Sequence, residues 1–206
     1  TCAMRAQTTG KMKNLAIFAS GEGTNAENII RYFENSGTAK VTLLVYNRKE
    51  AGVRLRAERL GVRTEYIPKS MFGDSEKVLA TLREANTDII VLAGFLLFVP
   101  EYLLETYHNR IINIHPSLLP LHGGKGMHGI HVHEDVLACG DKETGITVHV
   151  ADAQLDHGCV LFQAKCPVER GDTPEDVAAR VHKLEYAYFP EVIERFCQGR
   201  YDYKLK

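Results

Sequence analysis

The chain has 206 residues, a formal net charge of -1 and an apolar fraction of 45%. That is enough apolar surface for one globular core, and the near-neutral balance argues against nucleic acid as the main partner. No apolar run approaches the roughly 20 residues of a membrane span, and the first residues lack the apolar core of a secretion signal, so a cytoplasmic location without a membrane partner is expected.

Five cysteines (Cys2, Cys139, Cys159, Cys166 and Cys197) are widely spaced and form no CxxC, which suggests reduced, structural thiols rather than a disulfide framework or a zinc knuckle. Residues 1–12 are polar and aperiodic and are expected to form a loose extension. One domain is expected over residues 13–200, followed by a short tail at 201–206.

From residue 13 onward, β-branched runs recur: LAIFAS (15–20), VTLLVYN (41–47), TEYIP (64–68), DIIVLAG (88–94) and RIINI (110–114). Capped helical patterns such as NAENIIRYFENSG and DSEKVLATLREAN lie between the first four. Strands that are apolar throughout and alternate with helices predict an α/β fold: an open, mostly parallel Rossmann-like sheet with helices on both faces. After residue 140 the runs GITVHVAD and CVLFQAKCPV, joined by a short polar link, predict antiparallel strands at the C-terminal end of the sheet. A last helix is expected from about Thr173 to Cys197.

Four stretches could carry chemistry. SGEGTN (20–25) follows the first strand and opens the first helix, so the amides of Gly23, Thr24 and Asn25 are placed to hold an anion, and phosphate is the natural guest. Ala26 stands where a dinucleotide fingerprint has its third glycine, and no GK[ST] follows. The plain alternative is a Gly-rich turn.

In NIHPSLLP (113–120), Asn113 and His115 are two apart at the end of a strand and share a face. An amide beside an imidazole suits a tetrahedral intermediate, with Asn113 donating to an oxyanion and His115 moving a proton. The alternative is a histidine capping a turn. In DAQLDHG (152–158), Asp152 and Asp156 are both candidates to hold the imidazole of His115, unless the segment is simply an acidic turn. The histidines of HGGKGMHGIHVH (122–133) match no zinc spacing, and a mobile loop with surface histidines leading into a helix near Gly129 to Cys139 is expected instead, with no metal.

SGEGTN, VLAGFLLFVP (91–100), NIHPSLLP and LDHG together closely resemble the phosphoribosylglycinamide formyltransferase family, over about residues 13–199. NIHPSLLP marks the wider formyltransferase superfamily, while the Gly-rich loop points to the glycinamide ribonucleotide member. The resemblance implies transfer of a formyl group from 10-formyltetrahydrofolate, as co-substrate, to the amine of 5-phosphoribosylglycinamide in purine synthesis, by a monomer or weak homodimer. Carried over by position, Asn113, His115 and Asp156 would be the catalytic trio, and Gly23, Thr24, Asn25 and Glu185 would hold the ribonucleotide. Leu96, Leu97, Phe98, Val99, Asp152 and Asn113 would line the folate site.

The chain departs from the family in three places. His157 replaces a usual glycine, LHGGKGMHG replaces a proline-and-glycine loop in which no role is given to Lys125, and Glu76 stands near a usual arginine. The rivals are formyltetrahydrofolate hydrolase or another formyltransferase, and more remotely a nucleotide-binding Rossmann-type module. The last would favour an acidic residue about 20 positions past the loop; the chain has Tyr46-Asn47-Arg48 there, with Glu50 just beyond.

Overall fold

A computed structural model describes residues 10–200. The expected tail and all but residues 10–12 of the expected extension lie outside that range. Strands β1 (Lys13–Ala19), β2 (Ala39–Tyr46), β3 (Arg63–Tyr66), β4 (Ile89–Leu92), β5 (Ile111–His115), β6 (Glu143–Val150) and β7 (Val160–Pro167) form one sheet in the order β3-β2-β1-β4-β5-β6-β7. The pairs among β1 to β5 are parallel, whereas β5–β6 and β6–β7 are antiparallel. The α/β architecture is therefore the one the sequence pattern predicts. β3 is shorter than the TEYIP run, because Ile67 and Pro68 lead into a 3-10 turn at Lys69–Met71.

Helices α1 (Thr24–Phe33), α2 (Val53–Arg59), α3 (Ser75–Glu84), α4 (Glu101–Thr106), α5 (Ile130–Cys139) and α6 (Pro174–Cys197) surround the sheet. Alternate residues of β1, β2, β4 and β5 feed two separate cores. Leu15, Ile17, Leu44, Val91, Ile112 and Val148 pack under α1, α2 and α6. Ala16, Phe18, Leu43, Val45, Ile90 and Leu92 pack under α3 and α4. Both faces are covered, which is why the parallel strands read as continuous apolar runs.

The second core stops at β5: Ile111 belongs to it, but no residue of β6 or β7 does. On that face Asn113, His115, Thr147 and His149 take the inward positions that apolar residues fill elsewhere. α6 starts where Thr173 accepts the Asp176 amide and Asp176 in turn accepts from the Thr173 amide, a reciprocal cap followed by Pro174 in the first turn. Cys139, Cys166 and Cys197 are free thiols, but Cys159 is disulfide-bonded, which departs from the expectation of reduced cysteines throughout. Among the described residues no helix is long and apolar enough to cross a membrane.

Candidate active site

β5 ends at His115 because Pro116 offers no amide to continue the ladder. The antiparallel register sets Asn113 opposite His149. Side chains in directly opposed pairs sit close enough to touch. Asn113 Nδ2 lies 3.0 Å from His149 Nε2, and His149 Nδ1 lies 3.3 Å from the Val150 carbonyl. A neutral ring that donates from Nδ1 and accepts at Nε2 satisfies both contacts. Burial holds the His149 pKa below its ordinary value, which agrees with that neutral form. The acceptor at Nε2 thus fixes the orientation of the Asn113 amide, with its second N–H left to donate elsewhere.

His115 is buried, and its two ring nitrogens face different acceptors. Nε2 is 2.8 Å from the His122 carbonyl, and Nδ1 is 3.5 Å from Asp156 Oδ1. The other Asp156 oxygen accepts the Gly124 amide at 2.9 Å, so this carboxylate ties the 151–159 loop to the 116–129 segment. Asp156 has a φ of 55°. Such a backbone in a non-glycine residue persists only where surrounding contacts impose it. Two residues on, Gly158 lies against the Val150 carbonyl where any Cβ would collide, which anchors the loop to the end of β6. Beneath the turn, the Thr147 hydroxyl donates to the Ser117 carbonyl at 2.7 Å and accepts the Leu119 amide at 2.9 Å.

At the far end of the cavity, Asn25 in the first turn of α1 donates to Glu185 of α6 at 2.9 Å. Glu185 is 5% exposed. It also accepts from His182 Nδ1, and that bond raises the His182 pKa. Nearby, His133 is buried with its Nδ1 unpartnered, as is Oδ1 of Asn25, and desolvation lowers the His133 pKa. Two buried polar atoms with no partner beside a cavity are places where a polar ligand would be held. At the start of the helix, Gly23 has a φ of 76° and no side-chain cap, and it presses against Val53.

These groups surround a cavity of about 600 Å³. Asn113, His115, Asp156, Asn25, Glu185, Leu96, Leu97 and Phe98 all line it. Of the other sequence candidates, Gly23 and Thr24 adjoin Asn25 without lining the cavity, and Val99 packs against the core under α3 and α4. Asp152 does not line it, and accepts the Gln154 amide of its own loop at 2.8 Å. Asp156 is therefore the aspartate that meets His115.

The cavity also contains His133, His182 and the exposed Lys125, none of which the sequence singled out for a role. His149, which touches Asn113, was hidden inside an apolar strand run. The expected loop of surface histidines is only partly realised. His128 and His131 are exposed, but His122 and His133 turn inward to carboxylates and the cavity.

Residues 13–193 match the family described as formyl transferase. The chain belongs to that family. It is similar to phosphoribosylglycinamide formyltransferase of Vigna unguiculata, a chloroplastic protein, with 39% identity over 96% of this chain and 65% of the relative. The Escherichia coli enzyme of the same name is 34% identical over 91% of this chain and 88% of its own length. The chain thus spans about two thirds of the plant relative and most of the bacterial one.

Among solved formyl transferase structures, glycinamide ribonucleotide transformylase 1 from Symbiobacterium toebii superposes with a TM-score of 0.84 at 31% identity, covering 97% of this chain and 94% of that one. Phosphoribosylglycinamide formyltransferase from Brucella melitensis gives 0.82 at 36% identity, covering 91% and 96%.

Proposed function

We propose that the protein transfers the formyl group of 10-formyltetrahydrofolate to the primary amine of 5-phosphoribosylglycinamide, yielding the formylated ribonucleotide and tetrahydrofolate within purine synthesis in the cytoplasm. The observation that carries this reading is one cavity lined by polar Asn25 and Glu185, by apolar Leu96 to Phe98, and by Asn113, His115 and Asp156. The relatives of the same name support the choice of substrates.

The Gly-rich start of α1 offers amides to the substrate phosphate, and Glu185 is placed for the ribose hydroxyls. The exposed Leu96 and Phe98 give the pterin an apolar surface. Holding both substrates in one cavity makes attack of the amine on the formyl carbon effectively intramolecular. The tetrahedral oxyanion is met by the free N–H of Asn113, and His115, lining the same cavity beside Asp156, is the group that moves a proton. Asp156 faces Nδ1 of that ring at 3.5 Å and orients it. Collapse of the intermediate breaks the bond to the folate nitrogen, which takes up a proton as the amine loses one.

The deciding assay follows folate conversion spectrophotometrically with and without 5-phosphoribosylglycinamide. Conversion that requires the ribonucleotide is expected. Conversion in its absence would instead assign a formyltetrahydrofolate hydrolase, and none under either condition would leave a phosphate-binding module.

A further inference from the structure

His122 lies in the segment between β5 and α5, and its ring is almost fully enclosed, with 8% of the side chain exposed. Nδ1 is 2.6 Å from Asp135 Oδ2 on α5, and Nε2 is 2.6 Å from Asp141 Oδ2 in the turn after α5. A carboxylate only accepts, so both contacts are hydrogen bonds only if each nitrogen bears a proton, and the lengths are those of charge-assisted bonds. Burial works against the charge, but the bonds to Asp135 and Asp141 outweigh it and push the ring above its usual pKa.

The same residue has a φ of 52°. That left-handed turn directs its carbonyl back toward β5, where it lies 2.8 Å from His115 Nε2 and 3.5 Å from the Ser117 hydroxyl. Side chain and carbonyl thus hold two different parts of the molecule. A non-glycine residue keeps this backbone only when other contacts impose it, and here the two carboxylates do.

We propose that His122 is a positioning residue: its imidazolium, clasped between Asp135 and Asp141, holds the backbone carbonyl that accepts the His115 Nε2 proton and so directs His115 Nδ1 toward Asp156. The inference rests on the catalytic reading of His115. It assigns a task to a histidine that touches no substrate and does not line the cavity.

A metal ion is the competing occupant, because the ligand atoms of His122, Asp135 and Cys139 fall within 4.8 Å of one another. Nitrogen and oxygen ligands of one tetrahedral zinc sit about 3.3 Å apart, given bonds of roughly 2.0–2.2 Å. The observed 2.6 Å between His122 and Asp135 suits a shared proton instead. Asp135, Asp141 and Cys139 are the titratable groups on the ring side, with His115 on the carbonyl side.

The test compares wild type with His122→Phe, which keeps an aromatic ring and loses both donors, and with the Asp135→Asn, Asp141→Asn double variant, which weakens the clasp while leaving His122 in place. Loss of a positioning contact is expected to lower kcat by about ten- to a hundredfold. KM for the ribonucleotide should stay within about twofold, since the substrate end is untouched. Wild-type kcat/KM should fall as rising pH removes the second His122 proton, and that limb should be absent in His122→Phe.

Long-range 1H–15N NMR of the imidazoles supplies a readout independent of turnover. His115 should be protonated at Nε2 in wild type and should lose that fixed state in both variants. An unchanged His115 signal with kcat within twofold would overturn the proposal. So would stoichiometric Zn2+ binding to wild type that Cys139→Ser abolishes. If wild type shows no ribonucleotide-dependent turnover, the functional reading fails, and the NMR comparison still decides whether His122 orders His115.

Discussion

One face of the sheet changes character along its width. Over β1, β2 and β4 its inward residues are Ala16, Phe18, Leu43, Val45, Ile90 and Leu92, and α3 and α4 cover them. Over β5 and β6 the equivalent positions are Asn113, His115, Thr147 and His149, and two loops cover them instead. The strand period is the same in both regions. The lesson is that a site arises where the period-two pattern is kept but its apolar members are replaced, since a polar strip cannot be roofed by an apolar helix without leaving groups unsatisfied.

The sharpest test of this division exchanges stability against chemistry. Leu82→Ala removes a fully buried α3 side chain from the apolar region and should cost about 2–5 kcal/mol in urea unfolding, with turnover per folded molecule unchanged. Asn113→Ala in the polar region should raise the barrier by about 2.7–4 kcal/mol, a hundredfold or more in kcat, at much smaller cost in unfolding free energy. A kcat deficit below about tenfold, or a stability loss matching that of Leu82→Ala, would break the comparison.

Gly23→Ala probes the boundary of the parallel half. With a φ of 76° and Val53 filling the space a methyl group would need, it should lose about 1–3 kcal/mol of stability and raise KM for the ribonucleotide more than it lowers kcat.

The smallest expected effect is confined to acid. Burial keeps the folded pKa of His149 below the ordinary value of 6.5, so as pH falls the unfolded chain binds the proton first. Stability therefore drops with falling pH below about 6.5 until the folded pKa is reached. His133 acts in the same direction, whereas His122 and His182, whose pKa values are raised, contribute stability at low pH that is lost as pH rises through their folded values. His149→Gln should make the unfolding midpoint less acid-sensitive without removing the slope due to His133. Equal slopes in the two proteins would show that the polar strip does not carry this linkage.

Much of this was legible in the chain. Continuous apolar runs indicated covered parallel strands, and the two-residue spacing of Asn113 and His115 indicated one face at a strand end. The choice between Asp152 and Asp156 was not legible in the loop residues themselves, because four residues of irregular loop do not fix direction, and only the family resemblance pointed to Asp156; in the structure Asp156 Oδ1 is the carboxylate oxygen 3.5 Å from His115 Nδ1. His149 was hidden for another reason. Its meaning depends on the β5–β6 register, a non-local pairing that no periodicity within GITVHVAD discloses. His122 and His133 looked like members of one polar loop until burial separated them from His128 and His131.

The Asn25–Glu185 hydrogen bond joins residues 160 positions apart. On the ribosome, α1 would emerge early with its asparagine unpaired. The carboxylate that meets it arrives only with the last helix. With this end of the cavity holding the ribonucleotide, as proposed above, a nascent chain would be unable to sequester it until α6 has been released and docked, so synthesis itself would order the gain of binding after the docking of that helix.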